Sequence, residues 1–220
     1  MYYFASRMQA GRMLANQLQE RYKGEDSVVV ALSDGGVMVG AQIAMELQCA
    51  ITMLLADEIE LPRELVAIAG ITSDGSFTFN KAYSPGEIEE LVMEYHGLIE
   101  QEKLEKLHEM HRLMRSGALI RPDLIKNKNV ILVSDGMSSG FSIDLAMEYL
   151  KPIALKKLIV ATPLASVPAV DRMHILADDI YCLNVLENFI TTDHYFDTQD
   201  VPDHDLVVDT ISQIVENWKA

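Results

Sequence analysis

Two stretches of this chain set the same residue types in the same order: an apolar run, Ser-Asp-Gly, a further Gly, then helical periodicity. They are residues 31–40 (ALSDGGVMVG) and 130–142 (VILVSDGMSSGFS). The first turn of a helix holds backbone N–H groups without intrahelical partners, and the peptide dipoles add positive potential there, so such turns gather anions. Glycine lets a ligand come close to the backbone, and Ser138, Ser139 and Ser142 add hydroxyl donors in the second stretch. The chemistry that fits both loops is phosphate binding at the carboxyl ends of strands in an open α/β sheet. A plain capped turn is an adequate reading of either loop alone; the repetition favours a ligand.

The elements that must position these loops are readable as alternating apolar runs and helical stripes. Residues 27–33, 51–56, 66–71, 130–133, 158–162 and 180–183 are short continuous apolar runs, which suit strands buried on both faces of a parallel sheet. The run 158–162 is expected to stop at Pro163. Helices are expected over 4–21 (Met8, Leu14 and Leu18 inward), 37–47, 87–116 and 142–150. A last helix is expected to bury Leu206, Val208, Ile211, Ile214 and Val215, with Trp218 docking its end. Ser73-Asp74-Gly75 reads as a hairpin turn. The fold class is α/β, one domain over 1–220, with a hairpin and long-helix excursion at 57–116.

Charge and composition narrow the ligand. The 220 residues carry 18 Lys and Arg against 33 Asp and Glu, a net charge of −15, so nucleic-acid backbones and anionic membranes are disfavoured as partners. No apolar run approaches the roughly 20 residues needed to cross a bilayer, and the first residues lack a signal-like apolar core, so a cytoplasmic protein is expected. Cys49 and Cys182 are too few for a disulfide framework or a zinc site. His108-Glu109-Met110-His111 has its histidines three apart, not the four of a metalloprotease helix, and reads as a solvated face; no metal site is assigned. The segment 173–218 has no Lys or Arg. Its cluster Asp193, His194, Asp197, Asp200, Asp203, His204 and Asp205 reads as an acidic rim, selective for a cationic acceptor only if it faces a pocket. Tyr195 and Phe196 are candidates to stack on an acceptor base, with packing as the plainer role.

The stretch 130–142 resembles the PRPP-binding motif of type I phosphoribosyltransferases: an apolar run, paired acids, an apolar stretch, Thr-Gly and a Thr. The likeness covers nearly the whole chain. Phe4, Arg7, Ala10-Gly11 and Leu14-Ala15 resemble the family's opening helix, and VVVALSDGG its pyrophosphate strand and loop. Glu64-Leu65, Gly70, Asp74-Gly75 and Asn80 resemble the flexible hairpin of a bacterial subgroup of unassigned substrate. Phe189, Tyr195, Asp197, Val201 and Asp203 resemble that subgroup's hood, here 185–204. The resemblance implies a central parallel sheet flanked by helices, a small hood, a homodimer, and transfer of ribose 5-phosphate from PRPP with Mg²⁺. It implies that Asp135, the second acid, contacts ribose hydroxyls as the catalytic carboxylate. Ser134, Gly136, Met137, Ser138, Ser139, Gly140, Phe141 and Ser142 would wrap the 5-phosphate, and Ser33, Asp34, Gly35 and Gly36 the pyrophosphate.

The departures lie on one side of the site. Ser134 stands where the first acid belongs, Asp34 where a basic residue is usual, and Ala56-Asp57, followed by Glu58 and Glu60, where an Arg-Lys pair is usual. Carboxylates facing a polyanion oppose its binding and the departure of pyrophosphate; Arg63 is the nearby cation that would substitute. Three readings stay open: an active phosphoribosyltransferase of unknown acceptor; a non-catalytic member binding a phosphorylated metabolite for regulation; and an S-adenosylmethionine-dependent methyltransferase, from the Asp34-x-Gly36-x3-Gly40 spacing and an acid at Asp57 or Glu58.

Overall fold

The computed structural model describes residues 3–64, 66–114 and 122–217. In chain order the elements are α1 (Arg7–Tyr22), β1 (Ser27–Ala31), α2 (Asp34–Leu47), β2 (Ala50–Met53), β3 (Ala56–Ile59), β4 (Ala69–Thr72), β5 (Phe77–Phe79), α3 (Pro85–Met114) and α4 (Pro122–Ile125). They continue with β6 (Asn129–Val133), α5 (Phe141–Leu150), β7 (Lys157–Ser166), α6 (Val167–Leu176), β8 (Asp179–Leu186), a 3-10 turn (Thr192–Tyr195) and α7 (His204–Asn217). Five strands form a parallel sheet in the order β2-β1-β6-β7-β8, and β3-β4-β5 form a separate antiparallel sheet.

The absence of alternation in the apolar runs has a direct cause: the parallel sheet is covered twice. Register places Val29, Ile131 and Ile159 side by side on one face, under α1, α2 and α7, and Val28, Val130 and Leu158 on the other, against α4, α5 and α6. Both residues of each pleat are therefore apolar. Such a sheet holds the carboxyl ends of β1 and β6 side by side, since Ala31 pairs with Val133, and this brings the two Ser-Asp-Gly loops together.

Several expected boundaries shift, each for a physical reason. Ser33 caps α2 by accepting from the Gly36 N–H at 2.9 Å, so the helix starts at Asp34 rather than Val37. The run 51–56 divides between β2 of the parallel sheet and the start of β3. The run 66–71 contributes β4 to the antiparallel sheet, not the parallel one, and Ser73-Asp74-Gly75 turns β4 into β5 as expected. Gly70 is needed there because a Cβ would lie 2.5 Å from Leu145 on α5. Strand β7 does not stop at Pro163. Its pairing with β6 ends at Ala161 and resumes only at Met137 beside Ala165, so the missing N–H falls in the gap between them while β8 continues on the other side. Met8 and Leu206 are exposed rather than core. Residues 115–116 of the expected long helix, Leu65, Trp218 and the side chain of Val215 lie outside the described residues.

The segment 195–197 is pinned to the N-terminus. Phe4 donates its N–H to the Tyr195 carbonyl and accepts from the Asp197 N–H, both at 2.9 Å, and its ring packs on Phe196. Among the described residues no helix is long and apolar enough to cross a membrane.

Candidate functional site

The β6–α5 loop is built open. Gly140, with φ of 75°, precedes α5 and offers no side chain to cap it. The backbone N–H groups of Ser138, Ser139 and Gly140 and the hydroxyls of Ser138 and Ser142 hydrogen-bond to nothing among the described residues. Ser139 Oγ accepts from the Phe141 N–H at 3.3 Å. The loop is anchored from below: the Ser138 carbonyl accepts from Ser166 Oγ at 2.5 Å, and Met137 exchanges backbone hydrogen bonds with Leu164 and Ser166 at 3.0 and 2.9 Å. Met137 and Phe141 are buried packing residues. Ser138 and Ser139 line a cleft of about 520 Å³ whose walls include Lys81 and Arg172. Both cations lie on Asp144: Arg172 Nε donates at 2.8 Å and Lys81 Nζ stands 3.6 Å away. The Arg172 guanidinium keeps its proton firmly, because its hydrogen bond to Asp144 raises its pKa further.

The β1–α2 loop is built closed. Ser33 Oγ, while accepting from Gly36, donates to Asp135 Oδ1 at 2.9 Å. The Asp135 carboxylate lies against Gly35 so closely that a Cβ there would be 2.0 Å from Oδ2. Asp34 in the first turn meets His204 Nδ1 at 2.9 Å. The N–H groups of Ser33, Asp34 and Gly35 have no partner among the described residues either, but protein carboxylates already stand in front of this helix start. Ser134 replaces the expected acid with a local role: its Oγ donates to the Gly136 carbonyl at 2.9 Å and shapes the turn.

Between the loops sits a residue that the sequence reading placed only in the opening helix. Arg7 is 2% exposed. Its Nε donates to Asp135 Oδ2 at 2.7 Å, its Nη2 to Asp193, and its Nη1 reaches Asp200 at 3.5 Å, while the guanidinium stacks 4.5 Å from the Phe196 ring centroid. Burial alone would lower its pKa, but the hydrogen bonds and charges of Asp135 and Asp193 outweigh that and raise it. Both oxygens of Asp135 are thus engaged within the protein. A buried cation on an apolar helix face was the available signal: the α1 pattern leaves Arg7 in line with Ala10, Leu14 and Leu18, all inward.

The other nominated residues are placed as follows. Tyr195 is fully buried, with its hydroxyl donating to the Asn188 carbonyl at 3.1 Å, and Phe196 covers Arg7. Both rings are buried in packing, Tyr195 against Phe189 and Phe196 against Phe4. Asp193 and Asp200 turn onto Arg7, whereas Asp197, Asp203 and Asp205 are exposed. The cation beside Asp57 is Lys106, at 3.1 Å, rather than Arg63, which is exposed. Asp57, Glu58, Glu60 and Glu102 line an acidic cleft with Lys106, where burial and the neighbouring Glu60 and Asp57 push Glu58 up. Gly40 is buried in the middle of α2 against Val29 and Ile51, away from any loop, so the spacing behind the methyltransferase reading is helix packing. His108, Glu109 and His111 are exposed on α3.

The donor set does not suit the magnesium ion that the resemblance implies. Among the described residues no group of His, Cys, Asp and Glu gathers as a metal site. Magnesium needs one or two free carboxylates beside substrate phosphates, yet Asp135 is taken by Arg7 and Ser33, and Asp34 is joined to His204. As arranged, these residues do not form a protein-held magnesium site.

A parallel sheet with ligand-type loops at the ends of β1 and β6 defines the class, and comparison with known proteins gives the family. The phosphoribosyl transferase domain model matches residues 4–202, and the chain belongs to that family. Two curated proteins of Mycobacterium tuberculosis, each called "Putative phosphoribosyl transferase" (MT0597 of strain CDC 1551 and Rv0571c of strain H37Rv), are 26% identical over 182 residues, 82% of this chain. The chain spans 40% of the length of these relatives. TT1426 from Thermus thermophilus shares the fold with a TM-score of 0.71 at 23% identity, over 99% of both chains. AQ2163 from Aquifex aeolicus is similar with a TM-score of 0.51 at 11% identity, over 84% of this chain and 77% of its own.

Proposed function

We propose that this chain binds a ligand carrying ribose 5-phosphate, either PRPP or a nucleotide, through the loop 134–142, with the 57–116 arm and the 185–204 hood as parts of the same domain. The observation that carries the reading is that loop's two serine hydroxyls with no partner among the described residues, beside three N–H groups equally unspent, whereas the hydroxyl of the β1–α2 loop is taken by Gly36 and Asp135. Ser138 is exposed and Ser139 and Ser142 are half-buried, so water can meet these donors in the free chain, and a phosphate offers acceptors that would replace it.

The arrangement at Asp135 favours binding over turnover. Its oxygens are occupied, and the pyrophosphate side presents Asp34 where a transferase needs cations. This favours a regulatory, phosphometabolite-binding member of the family over phosphoribosyl transfer to an unassigned acceptor, which requires that Asp135 be released on binding. The free thiols of Cys49 and Cys182 support a reducing, cytoplasmic setting.

Calorimetry with ribose 5-phosphate, AMP and PRPP tests this. Binding of the monophosphates to the native chain, weakened roughly tenfold or more in Ser138→Ala/Ser142→Ala, is expected, since hydrogen bonds to a charged group are each worth about 1.5–3 kcal/mol. No binding, or binding indifferent to both serines, would contradict the reading.

A further inference from the structure

The pyrophosphate side lacks a basic residue in its own loop, yet a guanidinium lies against it. A Cβ built on Gly35 would be 2.9 Å from Arg7 Nε, so the α1 arginine reaches the backbone of the loop 33–36. Its Nε edge is held by Asp135. Its two terminal nitrogens face Asp193 and Asp200, which come from the hood and not from the sheet. Three carboxylates thus share one cation. Asp200 additionally accepts from the Arg7 backbone N–H at 3.0 Å, and Asp193 has a side chain 56% exposed, so solvent already reaches one end of the cluster.

We propose that Arg7 is the anion-binding residue of the pyrophosphate side, and that Asp193 and Asp200 occupy it as internal stand-ins which a phosphate group of the ligand displaces. The identification of that anion as part of a ribose phosphate ligand rests on the reading given above. A guanidinium fork accepts two oxygens of one phosphate as readily as two separate carboxylates. One phosphate, with a charge of about −1.5 to −2, takes the place of two carboxylates on the fork and leaves the Arg7–Asp135 pair intact. The hood is then loosened when the anion enters, because Asp193 and Asp200 are its ionic links to α1, while the Phe4 backbone hydrogen bonds to Tyr195 and Asp197 remain. The same contact explains how a chain with Asp34 and Asp57 on this side can still hold a cation there.

The probe is inorganic pyrophosphate, titrated calorimetrically into the native chain and into Asp193→Asn/Asp200→Asn. That double variant keeps side-chain shape and leaves Arg7 paired one-to-one with Asp135, so it is expected to fold. Pyrophosphate should bind it roughly tenfold tighter than it binds the native chain, the competing carboxylates having gone. Adding Arg7→Lys, which keeps the charge and loses the fork, should remove most of that gain. In the native chain, pyrophosphate should also raise hydrogen exchange across 190–203. Equal or weaker binding by the double variant, a gain that survives the loss of Arg7, or unchanged exchange in the hood would each overturn the proposal. If the triple variant fails to fold, the first and third measurements still decide. Failure of ribose 5-phosphate to bind, with the pyrophosphate pattern as expected, removes the proposed function alone; the opposite pattern removes only this inference.

Discussion

The two strand-to-helix loops begin from the same three residues and end in opposite states. After β6, the chain takes a long turn through left-handed Gly140, delays the helix to Phe141, and leaves Ser138 and Ser139 lining a cleft. After β1, the helix starts at once behind a Ser33 cap, and a carboxylate from the other loop closes over it. Free N–H groups occur in both, so they do not distinguish the loops. What does is whether the protein's own anions already stand there. Asp135 and Asp34 stand in front of the α2 start, whereas the cleft beside Ser138 and Ser139 sets Arg172 and Lys81 against Asp144 and Asp171, so its carboxylates are offset by cations.

That contrast can be broken most severely at Arg7. Arg7→Met leaves Asp135 buried without its cation and beside Asp193 and Asp200; chemical denaturation should show a loss of about 3–5 kcal/mol, the usual consequence of orphaning a buried charge. A loss under about 1 kcal/mol, the range of an exposed pair, would mean that the closed loop is not held by this ion cluster. Gly35→Ala comes next. Its Cβ collides with the Asp135 carboxylate, and a cost of about 1–3 kcal/mol is expected. Gly140→Ala, strained by its positive φ and close to Arg172, should cost about 1–2 kcal/mol, with a larger relative loss of ligand affinity than Gly35→Ala.

A scaffold control sharpens the comparison through pH. Burial raises the Asp179 carboxyl, but hydrogen bonds from Tyr22 and Lys157 and the charge of Arg21 outweigh it and hold it below its ordinary value of 3.8. A lowered folded pKa contributes stability at higher pH that is lost as pH falls through that value. Acid unfolding monitored by circular dichroism should therefore be shallower below about pH 4 in Asp179→Asn, with no change in ligand binding at neutral pH. The smallest effect is expected from Ser138→Ala/Ser142→Ala on stability. These hydroxyls have no partner among the described residues, so unfolding should move by no more than about 0.5 kcal/mol while binding falls.

Much of the scaffold was legible because burial on both faces leaves short continuous runs rich in β-branched residues: VVVA and VILV suit interior strands. The open loop was legible for the same local reason, since its glycines and serines are consecutive. The closed loop was not, because its state is set at long range. Nothing within residues 31–40 says that Asp135 will lie on Gly35, and nothing in a run of hood aspartates says that two of them turn inward to one arginine while three stay in water. Pro163 misled for a related reason: it breaks a ladder only if a neighbour is there to be paired, and β6 has ended at that level. Stacking and packing both stood open for Tyr195 and Phe196, because composition does not reveal which rings pack at Phe4.

The most direct test is an amide-resolved NMR titration of the isotope-labelled chain with ribose 5-phosphate. The account predicts that the Ser138, Ser139 and Gly140 amides shift first and furthest, with Ser33, Asp34 and Gly35 nearly still. Saturating shifts at Ser33, Asp34 and Gly35, with Ser138, Ser139 and Gly140 unmoved, would contradict it, and would make the closed loop the binding loop.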